Sequence, residues 1–203
     1  MTSISNVFVV DDDAAVRDSL RLMLKVSGFT VSTFSNAEEF LAVCNPETKG
    51  CIILDVNMPG MDGPGLQVEL NRRGSRLPII FLTGQGSIQL SVRTIKAGAM
   101  DFLTKPVDGK ELLACVKQAL DTCTLLQEQA QETQSMAARL ATLTEREKEV
   151  MMLVVEGLTS KEIAERIGIS YRTVENHRAR VMNKTGSSNM LELARIATVQ
   201  TPQ

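Results

Sequence analysis

Four hydrophobic stretches in the first half of the chain each run into a reactive polar residue. VFVV ends on Asp11, Asp12 and Asp13, CIIL on Asp55, PIIFL on Thr83, and DFLT on Lys105-Pro106. Carboxylates held a few ångström apart repel by several kcal/mol at an effective dielectric of about 20, so such a group normally holds a hard cation. Magnesium takes oxygen ligands at about 2.0–2.1 Å, usually one or two carboxylates completed by water and phosphate oxygens. An aspartate beside that cation can act as a nucleophile and become an aspartyl phosphate. A lysine could then bind a phosphoryl oxygen and a threonine hydroxyl could hydrogen-bond it. Solvated helix caps would explain Asp11–Asp13 taken alone. They do not explain an Asp, a Thr and a Lys at the ends of three other strand-like runs.

Such residues meet only if their strands lie side by side with the same ends aligned. Strand signals near residues 7–10, 29–34, 51–55, 77–83 and 100–103 alternate with helix signals, the mark of a parallel α/β sheet. Right-handed crossovers leave few topologies for five strands, and the flavodoxin-like order 2-1-3-4-5 is the commonest at this size. In that order the carboxyl ends of strands 1, 3, 4 and 5 form one edge, where open sheets bind their ligands.

The rest of the chain is helical. A helix signal starts at Asp108 with Glu111 at capping-box spacing, and no Gly or Pro falls between Lys110 and Gly157. Leu112, Val116, Ala119, Cys123, Leu126, Ala130, Thr133, Ala137 and Leu140 recur at spacings of four and three. Two readings fit: one continuous helix whose seam pairs with a second copy, or a short packing helix followed by a solvated linker. From residue 143, Thr144 with Glu147, Thr159 with Glu162 and Asn189 with Glu192 repeat the capping-box spacing, and Ser170 caps a fourth helix. The division expected is therefore residues 1–121 as an α/β domain, 122–142 as a helical linker and 143–203 as an all-α domain of four helices.

Bulk properties narrow the classes. The 203 residues are 43% hydrophobic with a net charge of −2, which excludes a uniformly basic nucleic-acid binder but not a local basic face. Cys44, Cys51, Cys115 and Cys123 have neither C-x-x-C pairing nor metal spacing with the lone His177, and read as reduced thiols of a cytoplasmic protein. No membrane partner is expected, because the amino-terminal apolar run stops after four residues at three aspartates.

VFVVDDD, ILDVNMPGMDG, PIIFLTG and IKAGAMDFLTKP, in that order, resemble the receiver domain of bacterial two-component response regulators. The resemblance implies that Asp55 is the phosphoacceptor. It implies that Asp11, Asp12, Asp55 and the backbone carbonyl of Asn57 hold Mg²⁺, for which Mn²⁺ could substitute. Lys105 would bind the phosphoryl group, with a cis peptide to Pro106, while Thr83 would be the switch hydroxyl and Phe102 the rotating aromatic. Asp13, one place beyond the usual acidic pair, is expected to cap a helix. Gln85, two residues after Thr83, has a side-chain amide able to orient the water that removes the phosphoryl group, as a glutamine does in some GTPases.

LTEREKEVMMLVVEGLTSKEIAERIGISYRTVENHRARVMNKTG resembles the LuxR-type helix-turn-helix. On a helix from about Tyr171, Val174, His177 and Val181 share one face, so His177 reads as structural rather than as a phosphotransfer group. Arg172, Thr173, Glu175, Asn176, Arg178, Ala179, Arg180 and Lys184 are the candidate DNA contacts. Arg and Asn suit bidentate base readout, and Arg178, Arg180 and Lys184 suit phosphates. Together the two resemblances imply a non-enzymatic transcriptional regulator of the FixJ-like branch. Its implied partners are a sensor histidine kinase, double-stranded DNA, a second phosphorylated copy and RNA polymerase, with activation as the output. A metal-dependent phosphotransferase with an aspartyl nucleophile is the enzyme alternative. It would need a substrate-enclosing cap where this chain has a helix-turn-helix.

Overall fold

The computed structural model describes residues 6–84, 88–189 and 192–194. It divides into two compact units, Met1–Gln127 and Glu128–Gln203. The first contains β1 (Asn6–Val10), α1 (Ala14–Val26), β2 (Thr30–Phe34), α2 (Ala37–Val43), β3 (Cys51–Asp55), α3 (Gly63–Arg72), β4 (Ile79–Thr83), α4 (Ile88–Lys96) and β5 (Asp101–Thr104). Every strand pairing is parallel and the order is β2-β1-β3-β4-β5, the arrangement expected from the sequence.

Strand side chains point alternately to opposite faces, and that alternation builds two cores. Val7, Val9, Ile53, Ile80 and Leu82 join Leu20 and Leu24 of α1 and Leu112, Val116 and Ala119 of α5 (Gly109–Ala141). Val10, Ile52, Leu54, Ile79 and Phe81 join Phe40 of α2 and Leu66 and Leu70 of α3 on the other face. Each fully buried aliphatic or aromatic side chain stabilises such a core by about 1.5–3 kcal/mol. With both faces covered, the central strands β3 and β4 are buried along their whole length. Only their carboxyl ends lead to polar surface.

Local capping follows the sequence with one shift. Asp13 caps α1, its side chain accepting from Ala15 N at 2.8 Å. Asn36 caps α2 and accepts from Glu39 N at 2.8 Å, but the Glu39 carboxylate takes the N–H of Ser35 at 2.9 Å instead of the cap's own. The box therefore closes one residue early.

The long helix is continuous from Gly109 to Ala141. Its first three turns are buried against the sheet, residues 131–135 are exposed on every side, and Leu140 is buried again. In the second unit, Leu140 and Leu143 pack with Val150, Met151 and Val154 of α6 (Glu145–Val155), Ile163 of α7 (Ser160–Ile167) and Val174 and Val181 of α8 (Tyr171–Thr185). The Thr144–Glu147 and Thr159–Glu162 capping boxes are both complete. Gly168 closes α7 at φ 69°, a left-handed position where a Cβ would be strained, and so allows the sharp turn into Ser170, which caps α8. Asn189 accepts from Glu192 N at 2.9 Å, but most of the helix expected there lies outside the described residues.

Candidate functional sites: an acidic pocket and an exposed recognition face

Strand register brings the first cluster together. Val10 pairs with Leu54, so Asp11 follows β1 beside Asp55 at the end of β3. Thr83 pairs with Thr104, and Lys105 N donates to Thr83 O at 2.7 Å, which turns the Lys105 side chain toward the same edge. Its Nζ donates to Asp11 Oδ2 at 2.6 Å and to Asp55 Oδ1 at 2.5 Å. Asp11 is 1% exposed, Asp55 6% and Thr83 0%, so the pocket is a buried one. The Lys105–Pro106 peptide is cis, as the resemblance implied.

The remaining donors hold the two carboxylates in place. Asn57 N donates to Asp55 Oδ2 at 2.7 Å and Asp13 N to Asp11 Oδ1 at 2.9 Å. Arg17, at the end of the first turn of α1, donates from Nη1 to the backbone oxygen of Asp11 at 2.7 Å. Burial pushes the Asp55 carboxyl above the usual aspartate range and the Asp11 charge adds to this, against the lowering effect of Lys105 and the Asn57 N–H. Burial works against the Lys105 ammonium, but its bonds to Asp11 and Asp55 outweigh it and hold the group above its ordinary value.

Two buried carboxylates sharing one ammonium carry a net negative charge, and Asp12 is exposed next to them. Hard oxygen donors with excess negative charge fit a divalent magnesium ion. Among the described residues no three His, Cys, Asp or Glu side chains converge as a metal cage. Of the three carboxylates expected at the ion, the structure brings Asp11 and Asp55 together and leaves Asp12 exposed beside them. Phe102 is half-buried on β5, its ring 6.2 Å from that of Phe81, its register partner on β4. Gln85 lies outside the described residues.

Gly63 and Arg17 were not singled out from the sequence. A Cβ on Gly63 would lie 2.3 Å from the backbone oxygen of Asp55, so the loop after Asp55 closes only over a glycine. The DG pair that opens α3 was the available signal. For Arg17 it was the position, one helical turn beyond the capping Asp13.

The second cluster lies on α8. Val174 and Val181 are buried and His177 lies between them, partly buried with its Nδ1 unpartnered among the described residues. On the opposite face Arg172, Asn176, Ala179 and Arg180 are exposed, and no hydrogen bond or ion pair engages the Arg172, Asn176 or Arg180 side chains among the described residues. Four other candidates are already engaged inside the domain. Thr173 Oγ1 lies 2.8 Å from the capping Ser170 hydroxyl. Ser160 Oγ donates to the Glu175 carboxylate and accepts from Arg178 Nη1 at 3.0 Å.

Lys184, exposed near the end of α8, is the fourth. Its Nζ donates to Glu147 Oε2 at 2.6 Å and to Thr142 O at 3.1 Å, so it ties α8 to α6. The physical reason is the burial of Glu147, 3% exposed at its side chain, whose charge needs a partner. Burial opposes ionisation of Glu147, but the Lys184 bond is the larger influence and holds the carboxyl below its ordinary value.

Comparison with known proteins covers both clusters. Residues 7–117 match the response regulator receiver domain and residues 141–197 the LuxR family of bacterial regulatory proteins. The chain is 46% identical to the transcriptional regulatory protein TdiR of Thauera aromatica, over 90% of this chain and 80% of that one. It is 40% identical to the transcriptional regulatory protein FixJ of Bradyrhizobium diazoefficiens, over 97% and 96%. Among solved structures, the response regulator StyR superposes with a TM-score of 0.87 at 38% identity, covering 95% of this chain and 98% of that one. Full-length FixJ from B. japonicum gives 0.60 at 39% identity, with 98% of each chain covered.

Proposed function

The chain belongs to the two-component response regulators with a LuxR-type DNA-binding output, close to FixJ, and from that premise we propose that phosphorylation of Asp55 controls its binding to DNA. The observation that carries the reading is Lys105 Nζ bridging two buried carboxylates at the carboxyl edge of the sheet. A carboxylate oxygen of Asp55 attacks the phosphorus of a phosphohistidine on a sensor kinase. A P–O bond forms, the P–N bond breaks, and the imidazole nitrogen leaves with the electron pair. Asp11, Asp12, Asp55 and the Asn57 carbonyl would hold Mg²⁺, or Mn²⁺ in its place, which when bound supplies neutralisation of the phosphoryl oxygens.

Lys105 releases one carboxylate oxygen as the phosphoryl group takes it over. The Thr83 hydroxyl turns to the same group, and Phe102 follows into the space behind it. The affected face, α4–β5–α5, then favours a dimer. A dimer presents two copies of α8 to half-sites about 34–36 Å apart on one face of the duplex. In this reading the protein works in the cytoplasm as an activator that recruits RNA polymerase. No helix among the described residues is long and apolar enough to cross a membrane.

Acetyl phosphate labelling read by mass spectrometry tests the proposal. One phosphoryl group should appear on Asp55, only with Mg²⁺ or Mn²⁺ present, and Asp55→Asn should remain unlabelled. A phosphoryl group on another aspartate, or labelling without a divalent cation, would overturn it.

A further inference from the structure

Three carboxylates are assigned to the cation, but the structure holds them unequally. Asp11 is fixed by Lys105 Nζ and Asp13 N, and Asp55 by Lys105 Nζ and Asn57 N. Among the described residues no hydrogen bond or ion pair engages the Asp12 side chain, which is exposed. Its position therefore depends on its backbone. The peptide joining Asp11 to Asp12 is planar, so fixing the Asp11 carbonyl oxygen fixes the direction in which Asp12 N and Cα leave it. That oxygen lies beyond the last paired residue of β1 and accepts from Arg17 Nη1 at 2.7 Å.

Arg17 is itself well anchored. Its backbone N donates to Asp13 O at 3.0 Å in the first turn of α1. Its charge also acts on Glu39 beyond, as the smallest of the influences that lower that carboxyl. We infer that Arg17 is a positioning residue for the cation site, holding the Asp11–Asp12 peptide so that the Asp12 carboxylate is presented to Mg²⁺. The inference rests on the assignment of Mg²⁺ to this pocket. It also opposes simple electrostatics, because a nearby guanidinium by itself repels a divalent cation.

Mg²⁺ titration of the full chain by calorimetry, without any phosphoryl donor, tests it. Outer partners of metal ligands are typically worth about 10–100-fold in affinity, and Arg17→Met should weaken Mg²⁺ about tenfold. Arg17→Lys, which keeps a donor and a charge, should recover much of that loss. In an Asp12→Ala background Arg17→Met should have no further effect, because both changes remove the same contribution. Melting without Mg²⁺ checks folding, and Arg17→Gln takes the place of Arg17→Met if the latter does not fold. Tighter or unchanged Mg²⁺ binding in Arg17→Met overturns the inference, as does an equal loss with and without Asp12. Wild-type protein that binds no Mg²⁺ would overturn the site assignment itself, and with it this role.

Discussion

Lys184→Met separates structural from DNA-binding roles on α8. Methionine keeps most of the aliphatic stem and removes the ammonium. Glu147 would then keep its bond from Thr144 N at 2.9 Å but lose the only cation paired with it among the described residues. Exposed ion pairs are worth up to about 1 kcal/mol, whereas breaking a fully buried one costs about 3–5 kcal/mol. Here the partners are 35% and 3% exposed, which places the loss between those limits at about 2 kcal/mol. In a unit of this size each kcal/mol moves the melting midpoint by about 4–8 °C, so a fall of about 8–16 °C is expected. The chain has no Trp and a single Tyr, Tyr171 on α8, so intrinsic fluorescence reports the carboxyl-terminal unit selectively. A double-mutant cycle with Glu147→Gln should show coupling, and the salt dependence of DNA binding should keep its slope. An unchanged midpoint, combined with a slope reduced by about one phosphate contact, would refute the pairing and restore Lys184 as a backbone anchor.

Three further outcomes are expected. Asn176→Ala should cost roughly 1–3 kcal/mol on the cognate site and relax preference at one base position, whereas Arg180→Ala should weaken cognate and random DNA alike; titrations of both DNAs at several salt concentrations separate the two effects. Because the folded Asp55 carboxyl lies above its unfolded value, the native state holds more protons, and stability falls as pH rises from about 3.9 through the raised folded value. Metal-free Asp55→Asn should therefore melt higher than wild type at neutral pH, with Lys105 still paired to Asp11, and a lower melting point would contradict the desolvation argument. Proline at Gln129, inside α5, costs about 3 kcal/mol of helix and should leave both units folded while phosphorylation no longer changes DNA affinity; wild-type coupling measured by fluorescence anisotropy would refute transmission through the helix.

Much of this protein was legible locally. Continuous apolar runs alternating with helix signals, and the reactive residues at strand ends, each depend on a few neighbouring residues, and they correctly gave five parallel strands and the edge that gathers Asp11, Asp55, Thr83 and Lys105, while the α1 cap at Asp13 followed from the family resemblance. The 2-1-3-4-5 order also followed, because the handedness of crossovers leaves few alternatives. The continuity of α5 did not, since its Ala-, Thr- and Gln-rich middle suits a helix and a solvated linker equally. The partners of polar side chains on α8 were also out of reach. Whether Lys184 faces a phosphate or Glu147, 37 positions away, depends on the angle at which α6 crosses α8. The same holds for Ser160 between Glu175 and Arg178. A helical face specifies which side chains share a direction, but only packing decides which of them meets a buried charge of opposite sign and which is left for DNA.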